Sequence, residues 1–537
     1  MSLAGFLNTA WMLKCGREAW AFRRATRRVA DTQTAILRHI LHQNRETEFG
    51  RAHAFERIHD ARSYQQSIPL SRYEDYTGAI ERIAAGRQRV LTAERVRLLE
   101  PTSGTTGGEK LIPYTDSLRR QFQRAVAVWM FDLFRNRPAV RRGRAYWSIS
   151  PALGPPRRTA GGIALGFDDD AAYLGTLERF ALNRLLVVPS SVSRLADMES
   201  WRYRTLLHLL AAEDLALVSI WNPTFLPALL APLERWAERL CGDLRPRRRG
   251  AFVEKILAAP LPLVEKVHRL WPRLALLSCW ADAAAESAIS ELRALFPSVE
   301  IQPKGLLATE GCVTVPLIGE PAPALTIRCH FFEFQETDAA EDRARCRLAH
   351  ELEMDGRYRV ILTTGGGLYR YQLRDEVHVA GFLDQCPLLR FVGKADRVSD
   401  LVGEKLGEPH VRSVLDRVFA TLGIAPRFAL LAPVADKPPH YRLYVQTNNL
   451  PPSLQDELED GLRENPYYRQ AVLLRQLAPV EIEWLREDES AWRIYERHYL
   501  ERGQKAGAIK PAALDAWTRW ADEFRPLRHG ASLASRS

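Results

Sequence analysis

Glu100-Pro101-Thr102-Ser103-Gly104-Thr105-Thr106-Gly107-Gly108-Glu109-Lys110 is the stretch on which the reading of this chain turns. Glycines let a backbone aim successive N–H groups inward, as a concave nest for an anion. The hydroxyls of Ser103, Thr105 and Thr106 add donors, and Lys110 closes the run with a mobile positive charge. The spacing does not fit the G-x-x-x-x-G-K-[ST] phosphate loop. Val96–Leu99 leads into the loop as a predicted strand. Ser117–Phe134 follows it as a long amphipathic helix whose N-terminus adds to anion binding.

Outward from the loop, strand and helix patterns alternate. Tyr146–Ser150, Leu185–Pro189, Leu217–Trp221, Leu274–Trp280 and Val299–Pro303 read as strands, with helices over Trp201–Glu213, Val253–Ala258 and Ala285–Leu295. That alternation predicts an α/β fold with largely parallel sheets. From Thr326 to Phe382 the pattern becomes strand after strand (Thr326–Phe334, Tyr358–Thr364, Leu368–Leu373, Val377–Phe382), which predicts a β-rich, more antiparallel part. Residues 1–50 read as helix, as does Tyr73–Ala85, ended by Gly86. A smaller α+β unit begins near Asp396. It holds helices over His410–Ala420 and Leu454–Glu464, strands at Arg427–Ala432, His440–Gln446 and Val480–Trp484, and a terminal helix over Pro511–Phe524. The expected division is therefore a large domain over 1–395 and a small one over 396–537.

Composition narrows the class. A chain of 537 residues, 46% hydrophobic and 26% charged, has room for several domains, and excludes disorder, collagen repeats and a small disulfide scaffold. No apolar run approaches the roughly 20 residues of a membrane helix, and Leu3–Leu13 lacks the flanks of a signal peptide. The cysteines (15, 241, 279, 312, 329, 346, 386) are odd in number and form no C-x-x-C pair, as expected of reduced thiols in a cytoplasmic enzyme. Cys329 and His330, as neighbours on a predicted strand, would point to opposite faces and form no dyad. The net charge of +10 is spread over small clusters at Arg23–Arg28, Arg135–Arg144 and Arg245–Arg249, without the interleaved aromatics of an RNA-binding surface, so nucleic acid is not an expected partner. The basic residues are 65 Arg and only 10 Lys, which makes each lysine a candidate for a specific task.

The loop resembles the phosphate-binding segment of adenylate-forming enzymes, and the chain as a whole more closely resembles the GH3 auxin-responsive promoter family of acyl-acid amido synthetases. Upstream, Phe49-Gly50-Arg51, Ile68-Pro69-Leu70-Ser71-Arg72-Tyr73-Glu74-Asp75 and Glu81-Arg82-Ile83 with Gly86 carry the likeness. Downstream it continues in Gly367-Leu368-Tyr369-Arg370-Tyr371 with Asp375, and in Glu464-Asn465-Pro466-Tyr467-Tyr468-Arg469. The loop reads TSGTT where plant members usually have SSGTS, nearer the wider superfamily.

The resemblance implies roles. Ser103, Gly104, Thr105, Thr106, Gly107 and Lys110 would contact the β/γ-phosphates of ATP. Thr309 would lie near those phosphates and Glu310 would ligate Mg2+, an ion that needs few carboxylates when phosphate oxygens are present. Asp375 would accept from the ribose hydroxyls, and the backbone of Gly365–Gly367 would pass close to the nucleotide. Gly393-Lys394-Ala395-Asp396-Arg397 is similar to the hinge segment, with Asp396 as pivot. Lys405 matches a lysine after the hinge. Lys510 matches the lysine that reaches the α-phosphate and the acyl carboxylate, and Lys505 competes for that place. Trp221-Asn222-Pro223-Thr224, after a strand end, is a candidate wall of the acyl site. The implied activity is activation of a carboxylic acid as its acyl-adenylate, followed by transfer to an amine, an amino acid, to form an amide. The alternatives are transfer to a thiol such as CoA, and a nucleotide-binding protein without catalysis.

Overall fold

The structure, a computed structural model, describes residues 2–103, 109–148, 157–166, 184–195, 197–221, 223, 225–281, 286–337, 346–394, 398–399, 401–402, 404, 406–436, 438–473, 475–486, 491–502, 504 and 509–527. It divides into two compact units. The first is Met1–Trp280 with Leu292–Leu373 and Val377–Arg390; the second is Ala281–Glu291, Arg374–Glu376 and Phe391–Ser537.

The first unit begins with two long helices, Leu3–Ala25 and Val29–Asn44. Ser2 caps the first by accepting from the Gly5 N–H at 3.1 Å. The buried Asn8 amide fixes the same helix by donating to the Arg141 and Gly143 carbonyls. The Gly/Thr loop then joins β1 (Leu98–Ser103) to β2 (Glu109–Tyr114), antiparallel strands whose register closes at Ser103 opposite Glu109. This differs from the sequence reading, in which a helix follows the loop. Ile112 and Tyr114 alternate into the core and make this segment a strand. The helix Asp116–Asn136 starts only after it, and its first N–H groups are already used: Ser117 donates to Glu94 Oε2 at 2.7 Å and Leu118 to Thr115 Oγ1 at 3.1 Å.

Four parallel strands follow, β3 (Arg144–Trp147), β4 (Leu215–Ser219), β5 (Leu276–Cys279) and β6 (Glu300–Pro303), side by side in that order. The two central strands are buried along their whole length, so they read in the sequence as unbroken apolar runs. Leu217 and Leu276 pack with Met130, Leu133 and Phe134 of the Asp116–Asn136 helix and with Cys15. Leu185–Pro189, expected as a strand, contributes one bridge, Ala145 to Leu186.

The β-rich part is a seven-stranded sheet. In spatial order it runs Cys346–Leu348, Phe331–Glu336, Arg357–Thr363, Tyr371–Leu383, Cys386–Lys394, Ala324–Leu325 and Thr314–Val315. The two expected runs at 368–373 and 377–382 are one strand of 13 residues, Tyr371–Leu383. Arg374 within it sits at φ +60°, which breaks the alternation that would have marked a continuous strand.

In the second unit, Phe428–Val434 pairs antiparallel with His440–Gln446, which pairs parallel with Glu481–Trp484. Leu431, Tyr441, Leu443 and Val445 face the helices Glu408–Leu422 and Leu454–Leu462, while Phe428, Leu430 and Tyr444 face Ala491–Glu501, Trp520 and Phe524. The expected helix over Pro511–Phe524 is helical only at Trp520–Glu523. Its first half is extended beside Leu431, which donates to the Ala513 carbonyl at 2.8 Å and accepts from the Asp515 N–H at 3.0 Å. Sheet-edge pairing and burial of Ala512, Ala513 and Leu514 override the helical spacing.

Candidate functional site

In the first unit the site grows from the β1–β2 hairpin. Gly104, Thr105, Thr106 and Gly107 lie outside the described residues; Ser103 is the last residue of β1. Lys110 stands on β2 with its Nζ 5.4 Å from the Tyr73 ring and 4.0 Å from Glu74 Oε1. The Tyr73 hydroxyl accepts from the Leu111 N–H at 2.8 Å, which fixes that ring beside the strand.

Thr309 and Glu310 form the tip of a tight turn. Ala308 and Gly311 exchange backbone hydrogen bonds at 3.0 and 3.2 Å, and Leu307 bridges Cys312 beneath them. Gly311 has no room for a side chain: a Cβ there would lie 2.9 Å from His330 Nε2. That nitrogen accepts from the Cys312 N–H at 3.1 Å. The turn is tied to the hairpin by Tyr114, the last residue of β2, whose hydroxyl donates to the Thr309 carbonyl at 3.2 Å. Glu310 is largely buried, and its Oε1 accepts from the Tyr371 hydroxyl at 3.3 Å. Burial, with the carboxylates of Glu310 and Glu74 nearby, holds the Tyr371 hydroxyl far above its ordinary pKa, so it stays a donor. The structure thus gathers Lys110, Thr309 and Glu310 around Tyr73, Tyr114 and Tyr371. Sequence reasoning missed Tyr114; Tyr371 lay within the quoted 367–371 segment.

Most of that segment holds the fold. Tyr369 is fully buried and donates to the Leu91 carbonyl at 2.7 Å. The Arg370 guanidinium pairs with Glu333 at 3.0 Å, and donates to the carbonyls of Gln65 and Ile68 at 2.9 and 2.6 Å. The close approach allowed by Gly365 is to protein. Its N–H donates to Gln121 Oε1 at 3.0 Å, and a Cβ on it would meet Ser117 at 2.7 Å.

In the second unit Asp375 is buried and its Oδ1 lies 2.9 Å from Lys394 Nζ. The left-handed Arg374 precedes it. Lys510 lies on the extended segment beside Leu431, between the buried Ile509 and Ala512. Its Nζ is 5.9 Å from the Phe391 ring, on the same strand as Lys394, and its carbonyl accepts from the Tyr495 hydroxyl at 3.4 Å. Lys405, Lys505 and Asp396 lie outside the described residues, as do Asn222 and Thr224.

Cys329 and His330 occupy a turn and not the expected strand. Both are buried, and burial pushes the imidazole down to about 3 and the thiol up to about 12. Both stay neutral at physiological pH, and His330 serves as the acceptor that seats the Thr309-Glu310 turn.

The first unit holds a parallel sheet and most of a β-rich sheet, with β2 tied through Tyr114 to the Thr309-Glu310 turn, and the second is a smaller α+β unit. The chain belongs to the GH3 family: its N-terminal domain model matches residues 19–301, the central domain model 324–394 and the C-terminal domain model 410–517. Among its relatives, the probable indole-3-acetic acid-amido synthetase GH3.12 of Oryza sativa subsp. japonica is 27% identical over 92% of each chain. The indole-3-acetic acid-amido synthetase GH3.15 of Arabidopsis thaliana is 25% identical over 78% of each. In fold, the chain matches the GH3.15 acyl acid amido synthetase in complex with 2,4-DB with a TM-score of 0.80, at 19% identity, over 97% of this chain and 96% of that one. It also matches 2-hydroxyisobutyryl-CoA ligase in the postadenylation state, with a TM-score of 0.51 at 11% identity, over 93% and 90%.

Proposed function

We propose that this protein is an ATP-dependent ligase that joins a carboxylic acid to the amine of an amino acid. The observation that carries the reading is the Tyr114–Thr309 hydrogen bond, which ties the strand leaving the Gly/Thr loop to the turn bearing Glu310. In the first step a carboxylate oxygen of the acid attacks the α-phosphorus of ATP, and the bond to pyrophosphate breaks. In the second the amine nitrogen attacks the acyl carbon, loses a proton, and the bond to AMP breaks. Neither step needs a protein nucleophile; both need charge neutralisation and alignment.

Among the described residues no cluster of three or more His, Cys, Asp or Glu side chains could hold a metal ion. A lone Glu310, oriented by Tyr371, suits an ion that arrives already bound to phosphate oxygens, as Mg2+ does. That ion would supply charge neutralisation at the phosphates. Lys110 and the Gly/Thr loop serve the β/γ-phosphates, Asp375 the ribose, and Lys510 (or Lys505) the α-phosphate and acyl carboxylate, with Lys405 acting after the hinge. The division at 395/396 and the pivot at Asp396 belong to the same reading. None of the seven cysteines is in a disulfide, in keeping with a cytoplasmic setting, and no helix among the described residues is long and apolar enough to cross a membrane. Amine transfer is favoured over thiol transfer because the relatives matched over most of their length are named amido synthetases.

The test is acid-dependent ATP–pyrophosphate exchange with a broad pool of carboxylic acids, then AMP release with amino acids or CoA added. Exchange that needs an acid and falls in Lys510→Ala is expected, with AMP release driven by an amino acid. Release driven by CoA alone would install the thiol reading, and ATP binding without exchange under any acid would refute the catalytic one.

A further inference from the structure

Lys304 follows the last residue of β6, at the carboxyl edge of the parallel sheet, where open α/β sheets bind their ligands. Its Nζ donates to Ser219 Oγ at 2.8 Å and stands 5.3 Å from the Trp129 ring and 5.0 Å from the Trp221 ring. The residue keeps some exposure, but its ammonium is desolvated enough to bring its pKa down to about 8. Lys110, Lys266 and Lys394 each lie within 4.0 Å of a carboxylate. Among the described residues, Lys304 does not. Among the described residues the titratable group that acts on its charge is Cys279 on β5, whose thiol burial pushes up to about 12 and keeps neutral. Two π faces and a hydroxyl steady a cation without cancelling it, so the charge is retained for another anion.

The sheet beneath is unusual in the same place. Strand register sets Trp147, Ser219, Ser278 and Gln302 in one row across β3, β4, β5 and β6. The row one layer earlier is Ala145, Leu217, Leu276 and Glu300, and residues i and i+2 share a face. Leu217 and Leu276 pack on the Asp116–Asn136 helix, so the polar row faces that helix too, and Trp129 on the helix donates to Gln302 Oε1 at 2.9 Å. Trp147 Nε1, Ser278 Oγ and Gln302 Nε2 are buried and have no hydrogen-bond partner among the described residues. Adjacent strands are about 4.8 Å apart, so the row spans roughly 14 Å, wider than one carboxyl group. Each of its three unpartnered groups can donate, and a cation stands at its edge.

We infer that Lys304, with this row, receives a second oxygen-bearing group on the acid substrate, so that the protein's acids are dicarboxylic or similarly oxygen-substituted and not simple monocarboxylic acids. The inference rests on the ligase reading for the word substrate, and its binding arm stands without it. A desolvated lysine with no carboxylate beside it among the described residues is a cost to folding. Lys304→Met is therefore expected to unfold at no lower a temperature than the wild type while losing ligand selectivity.

The experiment compares straight-chain C4–C10 dicarboxylates and the three benzenedicarboxylates, each against its monocarboxylate of equal length. Two readouts are taken on the full chain: the ligand-induced rise in unfolding midpoint without ATP, and KM in pyrophosphate exchange. In the wild type at least one diacid should raise the midpoint above its partner and show the lower KM. Lys304→Met should raise the diacid KM tenfold or more with the ATP KM unchanged, and erase the midpoint difference. Ser219→Ala should move both in the same direction by less, and serves if Lys304→Met does not fold. Diacid selectivity in binding without any exchange would sustain the site and refute the ligase reading. Exchange with no diacid preference, or with one that survives in Lys304→Met, would overturn the inference and leave the ligase reading standing.

Discussion

Asp375→Asn tests the nucleotide reading at a single charge. The carboxylate has about four lone-pair sites, and Lys394 Nζ faces Oδ1 at 2.9 Å, so acceptor capacity remains for two ribose hydroxyls. A hydrogen bond to a charged group contributes about 1.5–3 kcal/mol. Asn keeps one neutral acceptor oxygen, so roughly one such bond is lost, which converts to about 10- to 100-fold weaker ATP binding. Lys394 retains 35% side-chain exposure, so water can solvate its charge in the variant. With the carboxylate buried and the lysine partly exposed, the loss of folding stability should be about 1–3 kcal/mol. The assay is calorimetric titration with ATP and with 2′-deoxy-ATP. The wild type should discriminate between the two, and the variant should bind both with nearly equal affinity. Wild-type affinity in the variant, or an unchanged ratio between the two nucleotides, would refute the ribose assignment.

Arg370→Met strands a buried Glu333 and should lower stability by about 3–5 kcal/mol, read from a urea midpoint; adding Glu333→Met should recover much of the loss. Gly311→Ala forces a Cβ to within 2.9 Å of His330, so it should cost about 1–3 kcal/mol and slow pyrophosphate exchange by displacing Glu310. His330 has its pKa lowered to about 3 in the folded chain, so between that value and about 6.5 the unfolded chain binds the extra proton. Stability is thus fully present above about 6.5 and falls with acid, by about 2 kcal/mol at pH 5. His330→Gln, compared with wild type in urea unfolding at pH 8 and pH 5, should remove that part of the slope.

The parallel sheet was legible because a strand buried on both faces has to be written as an apolar run, as Leu215–Ser219 and Leu276–Cys279 are. Glu109–Tyr114 was not, since six residues containing a proline look like the tail of a loop until Ile112 and Tyr114 are seen to be buried. The single strand around Asp375 was hidden by Arg374, whose left-handed backbone interrupts the pattern. Pro511–Phe524 carried helical spacing, but tertiary pairing with Leu431 prevailed over local preference. Thr309, Glu310 and Asp375 are candidates that resemblance supplies; Tyr114 and Tyr371, which hold Thr309 and Glu310, follow from contacts that cross 195 and 61 residues of sequence.

Lys304 shows a different limit. The scarcity of lysine was visible from the start, yet resemblance led to Lys110, Lys405 and Lys510, the lysines that sit in family-like segments. One of the family-like segments has a structural role separate from substrate choice: Tyr369 donates to the Leu91 carbonyl and Arg370 pairs with Glu333, so changing them disturbs the approach to the strand that begins at Tyr371. Lys304 bears no such burden, since among the described residues its ammonium is held by one hydroxyl and two ring faces. A position that costs stability when charged, and supports nothing when neutral, can vary without loss of fold. Two chains with the same Gly/Thr loop and the same Thr-Glu turn can therefore select different acids, and the place to look for the difference is the α-helix-facing row at the carboxyl edge of the parallel sheet.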